Sequence, residues 1–184
     1  MIRYPLCLVV ALGGSAAAQV TAGGAPAPAR APARAAVYRG FEPGVRYREF
    51  ATRARALARR DPLVCNTSKH TAQLMECGVL IRDPADSATF YLSAHVIGGR
   101  VSMISFTDSG GAPLVERVKQ DLIRRFGKAQ RTEIGMWEWK PAGGGGRKVV
   151  RFSWRGRGSA RWVSITLTDQ DVIDEIRRYV KRTP

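Results

Sequence analysis

"RWVSITLTD" (Arg161–Asp169) repeats the plan of "RVSMISFTD" (Arg100–Asp108). Setting Thr107-Asp108 on Thr168-Asp169 aligns Ile104 with Ile165 and Phe106 with Leu167. In both stretches apolar residues alternate with small polar ones, the two-residue period of a half-buried strand. Both then run into a helical pattern. The first is "APLVERVKQDLIRRFGK", with a stripe of Leu114, Val115, Val118, Leu122, Ile123 and Phe126. The second is "DQDVIDEIRRYVKR", with Asp169 in place as an N-cap. "IRRF" in one helix answers "IRRY" in the other. The echo raises an internal βββα duplication, and the competing explanation is two β-to-α junctions of similar composition.

Working outward gives the rest of the layout. "YREFATRARALARRD" places Phe50, Ala54, Leu57 and Ala58 on one helical face with arginines opposite. Met75, Cys77, Val79 and Ile81 alternate as a strand, and so do Phe90, Leu92, Ala94 and Val96. Ser102, Ile104 and Phe106 make a third strand face. "GMWEWK", "RKVVRFSWR" and "SARWVSITLT" make a fourth, fifth and sixth, the last two joined at Gly156-Arg157-Gly158. Pro113 suits the first turn of the middle helix, and Gly127 closes it. The predicted fold is α+β in the order α-βββ-α-βββ-α: one antiparallel sheet of about six strands, with helices on one face.

The N-terminus carries no such pattern. "MIRYPLCLVVALGGSAAA" has one early arginine, a short apolar run and a small-residue end, the plan of a secretory signal over residues 1–18. The apolar run is too short to span a bilayer. Residues 19–44 are dominated by Ala, Pro, Gly and Arg and read as a disordered linker, because they offer little apolar surface to offset ordering entropy. A single globular domain is expected over 45–184. No later stretch reaches membrane-spanning length.

Cysteine usage agrees with export. Cys7 falls in the signal, which leaves Cys65 and Cys77 as an even pair, expected as a disulfide. His70 lies between them, but C-x4-H-x6-C is no standard zinc spacing, so no metal and no cofactor are expected. Asn66-Thr67-Ser68 is a glycosylation sequon, relevant only in a eukaryotic source.

The chain carries 30 basic and 15 acidic residues, for a net charge of +15, and 24 of the basic residues are arginine. With the abundant Ala, Gly and Pro, the arginine excess reads as the codon bias of a GC-rich genome. Its consequence is still affinity for acidic surfaces. The densest basic stretch is "RFSWRGRGSARW", Arg151–Trp162, inside a segment from Trp139 to Thr168 with no acidic residue. Arg151, Arg155, Arg157 and Arg161 are expected to point outward or to edge a hairpin turn, with Phe152 and Trp154 sharing the other face. Together with Trp137 they are the candidate ligand-binding set, for an anionic surface, polymer or protein. Nucleic acid is an unlikely partner, because sheet-based RNA readers work inside cells and the RGRG core lacks the repetition of RGG segments.

Catalytic signatures are missing. The chain has two histidines and no H-E-x-x-H, G-x-S-x-G or S-x-x-K. "PAGGGGRK" lacks the phosphate-loop frame and joins two strands. Two functions from different classes follow: a non-catalytic exported binding module with a basic, aromatic surface, or a hydrolase with a noncanonical site near His95 and an acid such as Asp108. No catalytic residue is assigned.

Overall fold

The structure, a computed structural model, describes residues 35–58, 60–69, 71–83, 88–158 and 160–180, with side chains described to Ile176. The expected signal, most of the expected linker and His70 lie outside the described residues.

The elements follow the sequence pattern closely. α1 (Tyr47–Ala58) precedes β1 (Val64–Thr67), β2 (Leu74–Arg82), β3 (Thr89–Ile97) and β4 (Arg100–Gly110). α2 (Ala112–Phe126) leads to β5 (Arg131–Glu133), β6 (Met136–Trp139), β7 (Lys148–Arg157), β8 (Ala160–Asp169) and α3 (Gln170–Val180). All eight strands join one antiparallel sheet in the order β1-β2-β3-β4-β8-β7-β6-β5. The fold is thus α+β as expected, but with eight strands instead of six. The two additional strands are the edges, β1 and β5. Both are short and almost wholly exposed, so neither carries the alternation by which a strand is read.

The two echoing stretches, β4 and β8, lie side by side at the centre. Ile104 opposes Leu167, and Phe106 opposes Ile165. Ser105 opposes Thr166, its own counterpart in the echo, and their hydroxyls hydrogen-bond at 3.1 Å. The sheet is therefore two four-strand meanders, each followed by a helix, meeting at this ladder. A bulge interrupts β3–β4. His95 pairs with Met103 and Val96 with Val101, so Ser102 is the extra residue. Val101, rather than the expected Ser102, takes the inward position, and the Ser102 hydroxyl donates to the His95 carbonyl.

The core lies between the sheet and helices α1 and α2. Phe50, Ala54 and Ala58 of α1 and Val115 and Leu122 of α2 meet Val79, Ile81, Leu92, Ala94, Ile104, Phe152, Ile165 and Leu167. α3 stands apart. It packs against β3 and β4, but its buried Val172 is outside this cluster. Helices on one face thus describes α1 and α2 only.

Residues within 35–44, the described end of the expected linker, also pack in the core. Ala36, Tyr38 and Phe41 are buried in the main cluster, and Gly44 donates its N–H to the Val101 carbonyl. Tyr38 and Phe41 both pack edge-on to Phe106. Two large aromatic rings supply the burial that the surrounding Ala and Pro could not.

One buried charge pair ties this N-terminal segment to the end of β8. Lys148 Nζ donates to Asp169 Oδ2 and to the Pro43 carbonyl, each at 2.6 Å. Both side chains are almost fully buried. The other carboxylate oxygen of Asp169 accepts the N–H groups of Asp171 and Val172, capping α3 as expected. Gly44 is required beside the pair. It sits at φ 94°, and a Cβ there would fall 2.3 Å from Asp169 Oδ2 and 2.5 Å from Lys148 Nζ. Lys148→Met should cost about 3–5 kcal/mol in urea unfolding, because it leaves a buried carboxylate without its cation. Adding Asp169→Asn to that variant should recover part of the loss.

Candidate functional site

A strand shows its side chains to the two sides of a sheet in turn. On β3, Phe90, Leu92, Ala94 and Val96 enter the core, so Tyr91, Ser93 and His95 face the other way. The same rule sends Ser105 and Thr107 of β4, Ser164 and Thr166 of β8, and Arg151, Ser153 and Arg155 of β7 to that far side. The ladders then set the neighbours. One row across the sheet reads Gly78, Ser93, Ser105, Thr166, Arg151, Glu138. The next reads Leu80, Tyr91, Thr107, Ser164, Ser153, Met136. At its margin Trp162 stands between Ser109 and Arg155.

This far face has a floor of small hydroxyl side chains, all half-buried, and a rim of large groups. Trp162 is 63% exposed, Tyr91 50% and Leu80 45%. Strand spacing places the Tyr91 and Trp162 backbones roughly 12 Å apart. Tyr91 lies across Gly78, where an added Cβ would fall 1.9 Å from its hydroxyl. The absent side chain of Gly78 is what lets the ring lie down.

The candidate residues read from the sequence divide between two surfaces. Arg155 and Arg157 are exposed and make no ion pair among the described residues. Arg151 shares the far face, but Glu138 on β6 neutralises it, with Arg151 Nη2 donating to Glu138 Oε2 at 2.9 Å and Nε to the same oxygen at 3.3 Å. Arg161 occupies an inward register with Val163, Ile165 and Leu167. It is half-buried, and its Nε is shut off from solvent without an acceptor. Trp137 is also on the helix side. Its ring centroid lies 6.1 Å from Trp139 and 6.4 Å from Trp154, and Lys119 of α2 sits over both Trp137 and Trp154, at 5.1 and 4.5 Å. The five residues do not make one surface, because alternation separates 137 and 161 from 151 and 155. Phe152 and Trp154 do share a face and stack at 5.1 Å.

The neighbouring Arg147 is committed elsewhere. Its Nε and backbone N–H hold the two oxygens of Asp171, and Nη2 reaches Asp174. The Arg147 backbone N–H, then its guanidinium, hold the Asp171 carboxyl below its ordinary value. This clasp between the glycine-rich connection and α3 is lost only as pH falls through that lowered value, since the carboxylate is the bonded form.

His95 faces the open side, 3.8 Å from Glu76 Oε1, while Asp108 opposes Val163 on the helix side. The two groups of the hydrolase alternative are on opposite sides of the sheet. Cys65 and Cys77 are joined as a disulfide directly across β1 and β2, which ties the short edge strand to its neighbour. Among the described residues there is no cluster of three metal-ligating side chains, and no helix is long and apolar enough to cross a membrane.

Trp162 and Tyr91 were not in the candidate set. The signal was available for Trp162: once Val163, Ile165 and Leu167 are read as inward, Trp162 must point out. No known family model, no curated protein and no solved structure matches this chain.

The pairing of Arg151 separates it from its neighbours in an elution test. Arg155→Ser should lower the salt needed to elute the protein from heparin more than Arg151→Ser does. Removing Arg151 also uncovers Glu138, so its unfolding midpoint should fall, while that of Arg155→Ser should stay within about 0.5 kcal/mol of the parent.

Proposed function

We propose that the protein is a non-catalytic, exported binding module that holds an extended anionic partner, a polymer or a surface, against the open face of its sheet. The observation that carries this reading is the in-register pair of Arg155 and Trp162. Among the described residues it sets an exposed indole that carries no cation over its ring beside a guanidinium that makes no ion pair. The other tryptophans are spent: Trp139 is fully buried, and Trp137 and Trp154 pack under Lys119. A broad face with a hydroxyl floor, aromatic rim and unpaired arginines suits stacking and charge-assisted hydrogen bonds along a chain-like ligand. The disulfide across the sheet edge agrees with an oxidising compartment.

Trp162 is itself the reporter. As the most exposed of the four tryptophans, it should dominate quenching by acrylamide. Dextran sulfate should protect it, and protection should fade as salt shortens the Debye length from about 10 Å at 0.1 M. Trp162→Phe should abolish the change, and an Arg155→Ser/Arg157→Ser pair should abolish both protection and heparin retention. Retention that survives this pair at unchanged salt would remove the open face as the binding surface.

A further inference from the structure

The open face carries its unpaired cations along one margin. Arg82 ends β2, exposed, on the same side as Leu80, and opposes Thr89 of β3. Thr89 lies two residues before Tyr91 and Ser109 two residues after Thr107, so the marginal row reads Arg82, Thr89, Ser109, Trp162, Arg155. Arg157 stands two residues beyond Arg155, at the turn. None of Arg82, Arg155 and Arg157 makes an ion pair among the described residues. The acids of this face lie away from that row. Glu133 is engaged by Arg131 and Glu138 by Arg151, toward the β5 edge, and Glu76 stands beside His95 near the other end of β2. From Arg82 to Arg155 is four strand spacings, about 19 Å along the sheet. A linear anion that reaches both must cross the strands at this margin instead of following one of them.

What lies between the cations selects among linear anions. Ser109 in this row, and Thr107, Ser164 and Ser153 in the next, face the open side. Their hydroxyls make no hydrogen bond within the protein among the described residues. A partner that covered them with apolar surface would remove their water and return nothing. The partner must therefore bring hydrogen-bonding groups along its length. Trp162 and Tyr91 ask for the opposite, a flat apolar patch to lie on each exposed ring. A pyranose unit has both: C–H groups across its ring faces and hydroxyls at its edge. A uronate unit adds one carboxylate, which a guanidinium receives in two parallel bonds. An acidic polypeptide lacks the ring, and a DNA strand lacks hydroxyls between its phosphates.

We infer that the partner is a carboxylated polysaccharide, a polyuronate, lying across the strands with sugar rings on Trp162 and Tyr91 and carboxylates at Arg155, Arg157 and Arg82. This rests on the open face being the binding surface, and it adds the chemistry of the chain and its path.

Titration calorimetry on the full chain should give polygalacturonate an affinity about ten-fold or more above that of poly-L-glutamate matched in length and carboxylate concentration. Trp162→Ala should bring the two polymers within about two-fold of each other. Arg82→Ser, an exposed change at the far end of the row, should weaken polygalacturonate several-fold with an unchanged unfolding midpoint. Arg48→Ser removes the same charge from the exposed side of α1, a helix on the core side of the sheet, and should leave the affinity unaltered. An affinity for polygalacturonate no higher than that for poly-L-glutamate, or for oligodeoxythymidylate of the same length, would overturn the polyuronate and leave the open-face reading standing. So would a Trp162→Ala variant that keeps the parental preference. Parental binding by Arg82→Ser, or an equal loss in Arg48→Ser, would overturn the path across the strands. If no polymer, dextran sulfate included, protects Trp162 from acrylamide, the open-face reading itself fails and takes this proposal with it.

Discussion

The ladder between β4 and β8 is the constraint on which the rest depends. It is the one place where the two meanders meet within the sheet, and it pairs eight residues of each strand from Met103–Thr168 to Gly110–Arg161. Its register assigns every side chain at the centre of the molecule. Ile104, Phe106, Ile165 and Leu167 go to the core, while Ser105, Thr107, Ser164 and Thr166 go to the open face. A slip of one residue would exchange the two sets, burying a hydroxyl floor and exposing the apolar one. The large apolar cost of that exchange fixes the register, and the Ser105–Thr166 hydrogen bond adds to it from the other side.

Charge in this protein is legible only across strands. The stretch from Trp139 to Thr168 has no acid along the chain, yet its first arginine is matched by Glu138, which lies just before that stretch and directly across from Arg151 on the sheet. Arg147 is matched in the same way by Asp171 and Asp174 of α3. Within that stretch, what remains without an ion pair among the described residues is smaller than the sequence implies: Arg155 and Arg157 at the β7–β8 turn, and Arg161 beside it. The net charge of +15 describes the field of the chain, whereas the residual charge of Arg155 and Arg157 describes a place in it.

Periodicity made most of the fold readable. Six strands, three helices, the Asp169 cap and the Gly127 stop all followed from apolar spacing and terminal residues. The central pairing also follows the echo, since Ser105 meets Thr166. The edge strands escaped because their pairing is made by backbone groups, which have no signature in side chains. The packing of Tyr38 and Phe41 in the core escaped because they are isolated among Ala, Pro and Gly. Their value comes from Phe106, far along the chain, and not from any local pattern. For the site, alternation alone separates Trp162 from Trp137. The bulge at Ser102 and the pairing of Arg151 required neighbours that only the register supplies.

The same alternation bears on how the two sides of the sheet relate. Thr107 belongs to the open face and Phe106 to the core. Ser164 belongs to the first, and Val163 and Ile165 to the second. The two sides therefore share strand backbone but no side chain. Influence between them would have to pass through a twist of the β4–β8 ladder, and that ladder is held by packed residues on one side and hydrogen-bonded hydroxyls on the other. A close-packed interior resists graded deformation. The sheet is accordingly a partition: substitutions on the arginine and tryptophan side leave the packing of the core side in place. Energies of substitutions on the two sides should add, as they do for sites without shared partners.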